Sequence, residues 1–289
     1  MYKIAILGCE NSHANEFLNF IIKDNLYPDV EVMGVYSDDR EAAEKLNATY
    51  GVPVLDAYDE LAGKVDGIVV TARHGGNHYK FAKPYMAEGV TMFIDKPVTV
   101  SEDDANTLLR DLKANNIKVS GGSVCIYPDK VQELKALVAN TPKEEVLGGF
   151  LRCPVLMDNP YGGFFFYSQH LVQVMCEIFG YYPDSVIAHR NGKAINCTVR
   201  YSDYDVNLVF TDDVHYYYAG VNTEKEYNGS EYSFEGCFIK EFDTYYKLLS
   251  GGEMKQSYRD FVSPVFILNA IDRSLNSGHE EKISRPTEV

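Results

Sequence analysis

The sequence has no cysteine pair at redox or metal-binding spacing. Its six cysteines (Cys9, Cys125, Cys153, Cys176, Cys197 and Cys237) are scattered, with no C-x-x-C. This excludes a dithiol redox motif and a zinc cluster, and no metal is expected. Five of the six lie in apolar or strand-like surroundings, so they read as reduced core thiols in a reducing compartment. Basic residues are scarce: 27 Lys and Arg stand against 42 Asp and Glu, a net charge of −15. Such a chain lacks the basic surface that nucleic acids and anionic membranes require. No apolar run approaches the ~20 residues that span a bilayer. No leader pattern precedes the first strand, so a cytoplasmic location is expected. Internal repeats and low-complexity segments are also missing.

The chain has 289 residues, 45% of them hydrophobic. That suffices for one large or two ordinary domains. The first ~120 residues alternate strand and helix patterns, which favours a parallel sheet with right-handed crossovers. Strands are expected at Tyr2–Leu7, Val30–Tyr36, Val52–Leu55, Gly67–Thr71, Val90–Ile94 and Ile117–Ser120. Helices are expected at Ala14–Lys23, Asp39–Tyr50, Tyr58–Leu61 (one turn) and His78–Glu88, and from Ser101 to Asn115. Ser101 reads as an N-cap, with Asp104 three residues on.

The stretch Gly89–Pro97 organises this half. Val90–Ile94 suits a strand buried on both faces, and it ends in Asp95, Lys96 and Pro97. Pro97 has no N–H to give a central strand. Asp95 and Lys96 are therefore placed at the carboxyl edge, where open α/β sheets bind ligands. Lys96 could donate to a substrate oxygen, or hold a proton if burial lowers its pKa. The pair could also be no more than a salt bridge.

A dinucleotide would bind at the first turn, through Gly-x-Gly-x-x-Gly. The turn reads Gly8-Cys9-Glu10-Asn11-Ser12-His13, with only the first glycine present. Glu10 stands where the second lets backbone meet pyrophosphate. A carboxylate ~4 Å from a phosphate costs about 4 kcal/mol at an effective dielectric of 20. Either Glu10 points away, or the phosphates sit elsewhere, or no dinucleotide binds. Asn11, Ser12 and the backbone N–H groups of Ser12–Asn15 still offer donors. After the second strand Ser37 fills the slot of the ribose-binding acid, followed by Asp38 and Asp39. These acids lean toward NAD over NADP, or they simply cap the next helix.

Asp66-Gly67-Ile68-Val69-Val70, His78, Ala87-Glu88-Gly89-Val90 and Asp95-Lys96-Pro97, in this order, resemble the oxidoreductase family of glucose–fructose oxidoreductase and inositol dehydrogenase (Gfo/Idh/MocA). The family carries Glu-Lys-Pro at this strand end. The resemblance continues through Ser123–Pro128, Gly162-Gly163 with His170, Phe242…Leu249…Gly251-Gly252 and Ala270-Ile271…Ser274…Gly278. It implies a Rossmann-type dinucleotide-binding domain (1–120) and an α+β domain (121–289) with a large, mostly antiparallel sheet that pairs subunits. A homo-oligomer, either a dimer or a dimer of dimers, is expected. The cofactor implied is NAD or NADP, held by Gly8, Asn11, Ser12, His13, Ser37, Asp38, Thr71 and His78.

The second half agrees on its own terms. Glu145–Arg152, Ser185–Arg190, Ala194–Tyr201, Asp205–Thr211, His215–Val221 and Glu231–Phe238 read as strands, several with half-exposed alternation. Val131–Ala139, Phe164–Phe179 and Tyr258–Ser277 read as helices, the last kinked or restarted at Pro264. On Phe164–Phe179, Tyr167, His170, Gln173 and Glu177 share one face. The resemblance implies that His170 faces the cleft near Lys96 and serves in proton transfer or substrate binding. The family's acid four residues before it is Phe166 here. Tyr167, Arg73 and His74 are candidate substrate contacts. Two functions are compatible with this pattern. One is an NAD(P)-dependent oxidoreductase acting on a sugar, polyol or related hydroxy compound. The other is a non-catalytic relative that binds a carbohydrate-like ligand or a protein partner.

Overall fold

The computed structural model describes residues 1–287. Its first half alternates β1 (Tyr2–Leu7), α1 (Ser12–Leu18), β2 (Val30–Tyr36), α2 (Arg40–Tyr50), β3 (Gly67–Val70), α3 (His78–Ala82), β4 (Thr91–Asp95), α4 (Glu102–Ala114) and β5 (Val119–Gly122). The five strands form one parallel sheet in the order β2-β1-β3-β4-β5. A single parallel bridge, Val35 to Val54, extends it beyond β2. Neighbouring strands diverge from β1 in opposite chain directions, which makes the doubly wound topology and its switch point between β1 and β3. β3 and most of β4 are buried, as apolar strands covered on both faces must be.

Local chemistry sets the helix ends. Asp39 caps α2 by accepting from the Ala42 N–H, and Gly51 closes it at φ 72°. Ser101 accepts from the Asp104 N–H, and Glu102, Asp103 and Asp104 fill the first turn of α4, where the dipole favours acids.

The second half adds α5 (Asp129–Asn140), β6 (Val146–Val155), α6 (Phe164–Phe179), β7 (Ser185–Asn191), β8 (Ala194–Arg200), β9 (Asp205–Asp212), β10 (Tyr218–Thr223), β11 (Tyr227–Glu231), α7 (Phe238–Leu249), α8 (Tyr258–Ser277) and β12 (Glu281–Lys282). Its sheet runs β11-β10-β6-β9-β8-β7-β12, antiparallel except between β6 and β9. One face packs on α5, α6 and α8. The other exposes Leu147, Phe150, Ile187 and Tyr227.

Several expectations are corrected. Val52–Leu55 makes one bridge rather than a strand, and Tyr58–Leu61 is a set of turns. The segment after α1 is a π-helical turn, Asn19–Lys23, and the helix expected to reach Glu88 becomes 3₁₀ at Lys83, next to Pro84. The last strand of the expected meander lies earlier, at Tyr227–Glu231, because the hairpin closes at Thr223–Glu226. Tyr232 and Phe234 leave the sheet and pack against Tyr217, so their alternation is not a strand signature. α8 runs through Pro264 without restarting.

α7 crosses the division expected from chain order. Phe242, Tyr245 and Leu249 are buried with Ile4, Ile6, Phe17, Val69 and Phe93 of the first sheet. The Phe242 ring lies 4.9 Å from Phe17 and 4.7 Å from Tyr27. Burying such a ring contributes about 2–3 kcal/mol by transfer alone.

Candidate active site at the carboxyl edge of the parallel sheet

The turn after β1 lies directly on the loop after β3. Gly8 has φ +79°, and a Cβ there would stand 2.4 Å from the Ala72 backbone. Only glycine tolerates both demands. The Thr71 hydroxyl donates to the Gly8 carbonyl at 3.0 Å and pins the two segments.

Glu10 does not turn away from this crevice. Its carboxylate reaches across it, accepting from Ser37 Oγ at 2.6 Å and from the Arg73 N–H at 2.9 Å. No cationic side chain pairs with it among the described residues. The Arg73 guanidinium goes instead to Tyr161, bonding its hydroxyl at 3.2 Å and stacking 5.2 Å from its ring centre. The other expected cofactor contacts are dispersed. Ser12 Oγ donates to its neighbour Asn11 at 3.2 Å. Asn11 Nδ2 donates to Asp95 at 2.8 Å. Asp38 accepts from the Tyr36 hydroxyl at 2.6 Å.

His13 and His78 face inward. His78 is buried, its Nε2 2.7 Å from the Ala72 carbonyl, and burial lowers its pKa. It anchors the loop after β3. His13 is buried between two acids, Asp95 at 3.3 Å and Glu241 of α7 at 3.2 Å. These are ion-pair distances without well-directed hydrogen bonds. Burial opposes charge on His13, but the two carboxylates outweigh it and raise its pKa. Burial likewise raises the Glu241 pKa. His13 therefore joins α1, β4 and α7 and offers no ring nitrogen to the crevice.

Lys96 and His170 meet at the first turns of α6. The Lys96 ammonium donates to the Phe166 carbonyl at 3.1 Å and lies 4.5 Å and 4.9 Å from the ring centres of Phe166 and Tyr167. His170, one turn further along, has Nδ1 2.7 Å from Ser123 Oγ and its ring 4.9 Å from Tyr167. Each residue is only 4% exposed. Burial is the main cause that lowers the Lys96 pKa, and Arg73 adds to it. Burial, and then the Lys96 charge, hold His170 well below its ordinary value. Both groups are thus biased toward the neutral form.

Tyr167 and His74, expected as substrate contacts, have partners within the protein. Tyr167 bonds Tyr217 and lies edge-on to His215. His74 Nδ1 accepts from the Gly76 N–H at 3.0 Å. A Cβ on Gly162 would lie 3.8 Å from His74 Nε2. The Phe166 ring lies 5.1 Å from that of Tyr161. A continuous row, Arg73–Tyr161–Phe166–Lys96, thereby closes the crevice from the α6 side.

Sequence reasoning missed several partners. Ser123 orients His170. Gln169 accepts from the Val98 N–H at 3.0 Å, and Gln173 from the Ser123 N–H at 2.9 Å. Two glutamines one turn apart, buried on this helix, were the available signal. Nothing local announced Tyr161, Tyr217 or Glu241.

The backbone frame fits a dinucleotide: the switch point, the left-handed Gly8 and the close approach of Ala72 are all present. Among the side chains, Glu10 departs from that pattern by entering the crevice. Among the described residues no three His, Cys, Asp or Glu side chains are placed to hold a metal ion. No helix among them is long and apolar enough to cross a membrane.

Residues 2–123 match the model of an oxidoreductase family with an NAD-binding Rossmann fold, Gfo/Idh/MocA. No curated relative matches the sequence. Among solved structures the chain is similar to a putative myo-inositol dehydrogenase from Sinorhizobium meliloti (14% identity, TM-score 0.82, covering 98% of this chain and 100% of that one). It is also similar to myo-inositol 2-dehydrogenase from Lactobacillus plantarum (14% identity, TM-score 0.84, 98% and 99% covered). A third is GenD2 of gentamicin A biosynthesis, solved in complex with NAD (14% identity, TM-score 0.83, 98% and 96% covered). At this identity the likeness establishes the fold, while the family model identifies the first half. Residues 2–123 thus match the Gfo/Idh/MocA oxidoreductases with their NAD-binding Rossmann fold, and the chain as a whole has the two-sheet fold seen in the inositol dehydrogenase structures.

Proposed function

We propose that the protein is an NAD(P)-dependent oxidoreductase acting on a CH–OH group of a sugar, polyol or related hydroxy compound. The convergence of Lys96 and His170 at the carboxyl edge of β4 carries this reading. A bound dinucleotide would exchange hydride with the substrate carbon. Gly8, the backbone after it, Ser37 and the Thr71–Arg73 loop would hold that cofactor. Lys96 would hydrogen-bond the reacting oxygen. Only one of its three donors has a hydrogen-bond partner among the described residues, and its lowered pKa eases proton transfer. His170, neutral near pH 7, would take or return the proton at Nε2, with Ser123 fixing the ring. Tyr167, Arg73 and His74 would contact the rest of the substrate.

Two further features complete the reading. The cofactor domain would end near residue 120, with the remainder binding substrate. The exposed sheet face bearing Phe150 and Tyr227 would pair two copies, and Phe150→Asp would then give a monomeric mass by light scattering. The reduced, buried thiols suit the cytoplasm.

Phe166 favours a second reading. A ring occupies the place of the family's acid and lies on Lys96, as in a ligand-binding relative without turnover. Incubation with NAD or NADP and a panel of polyols and sugars, followed by nicotinamide absorbance, separates the two. Reduction of cofactor supports the enzyme. No reduction with any of them, together with no dinucleotide binding, would sink it.

A further inference from the structure

We propose that Glu10, in the first turn, supplies the carboxylate that receives the adenosine ribose, and that it makes the site selective for NAD over the 2′-phosphorylated cofactor. This rests on the dinucleotide reading above.

In a doubly wound sheet the ribose hydroxyls meet an acid at the end of the second strand. Ser37 stands there in this chain, and its hydroxyl donates to Glu10 Oε2 at 2.6 Å. The carboxylate of Glu10 therefore lies one hydrogen bond beyond that slot, brought from the neighbouring strand's turn. The acids next to Ser37 each hold one local partner and stand exposed at the surface. Asp38 Oδ1 accepts from the Tyr36 hydroxyl at 2.6 Å, and Asp39 Oδ1 accepts from the Ala42 N–H at 3.2 Å. Glu10 has capacity left. Its two oxygens have about four acceptor sites, and two are filled, by Ser37 and the Arg73 N–H. A ribose diol presents two hydroxyl donors to the other two.

A 2′-phosphate presents only acceptors and about two negative charges. It would meet Glu10 with Asp38 and Asp39 close behind. The two arginines of this edge are engaged: Arg40 with Glu44 and Asp56, Arg73 with Tyr161. The departure from the glycine fingerprint and the missing acid after β2 thus have one explanation. The carboxylate has moved from the end of β2 to the first turn.

Titration of NADH and NADPH by nicotinamide fluorescence tests this in the intact protein and three variants. Wild type is expected to favour NADH. Glu10→Gln keeps the bulk and removes the charge. It should weaken NADH about tenfold or more, the scale of a hydrogen bond to a charged group, and should narrow the preference over NADPH. Ser37→Asp added to Glu10→Gln should restore NADH binding by returning the carboxylate to the strand. Ser37→Asp alone brings two carboxylates together and should weaken NADH. Unchanged or tighter NADH binding in Glu10→Gln, or failure of the double variant to recover while retaining its melting temperature, would overturn the proposal and leave the oxidoreductase reading in place. Binding of neither cofactor by folded wild type would overturn both.

Discussion

The two ends of the crevice are built on opposite principles. At the outer end, over β1 and β2, Glu10, Ser37 and Asp38 form a half-open acidic rim held by local hydrogen bonds. At the inner end, over β4, Lys96 and His170 are buried bases roofed by Phe166 and Tyr167. Burial pushes the two inner bases toward neutrality. The outer end can therefore recognise hydroxyls by charge, and the inner end can exchange protons near neutral pH.

Removing the inner charge should have the largest effect. Lys96→Met keeps the stem's bulk and is expected to lower turnover at least ~10²-fold, the scale of a lost acid–base group, with an unchanged thermal midpoint. Undiminished turnover would remove Lys96 from the mechanism.

The buried histidines give a pH signature of intermediate size. His170 and His78 have lowered pKa values, so the unfolded chain binds protons that the folded one refuses. Stability should therefore fall as pH drops below the ordinary histidine value of about 6.5, by up to about 1.4 kcal/mol per pH unit for each. His13 has the opposite sign. Its raised pKa contributes stability that is fully present below about 6.5 and is lost as pH rises through the folded value. Urea denaturation at pH 7.5 and 5.5 should show a shallower acid loss in His170→Gln and a steeper one in His13→Gln. Equal slopes in all three proteins would contradict the assigned environments.

Smaller effects probe the join between the ends and the outer rim. Tyr161→Phe removes the hydroxyl that holds Arg73 and should raise KM severalfold with little change in kcat, the scale of about 1 kcal/mol. A pure kcat effect would count against a rim role. Asp38→Asn should change NADH affinity least, within about threefold, since its carboxylate is turned to Tyr36 and surface substitutions are usually worth under about 0.5 kcal/mol. An effect of Asp38→Asn larger than that of Glu10→Gln would invert the assignment of the rim.

The sequence alone was enough for features that depend on neighbours in the chain. Apolar runs of the right length marked β1 to β4, and helical spacing placed α6 at Phe164–Phe179 with His170 on its polar face. Charge and proline at the end of β4 located Lys96. Tertiary structure decided what depends on distant groups. It put Ser123 against His170, 47 positions apart, and the Arg73 N–H against Glu10, 63 apart. It buried His13 between Asp95 and Glu241, which no local pattern could distinguish from a phosphate-facing histidine. It also laid α7 on the first sheet, because an apolar helix face records only that it must be covered, and any sheet with a matching surface will cover it.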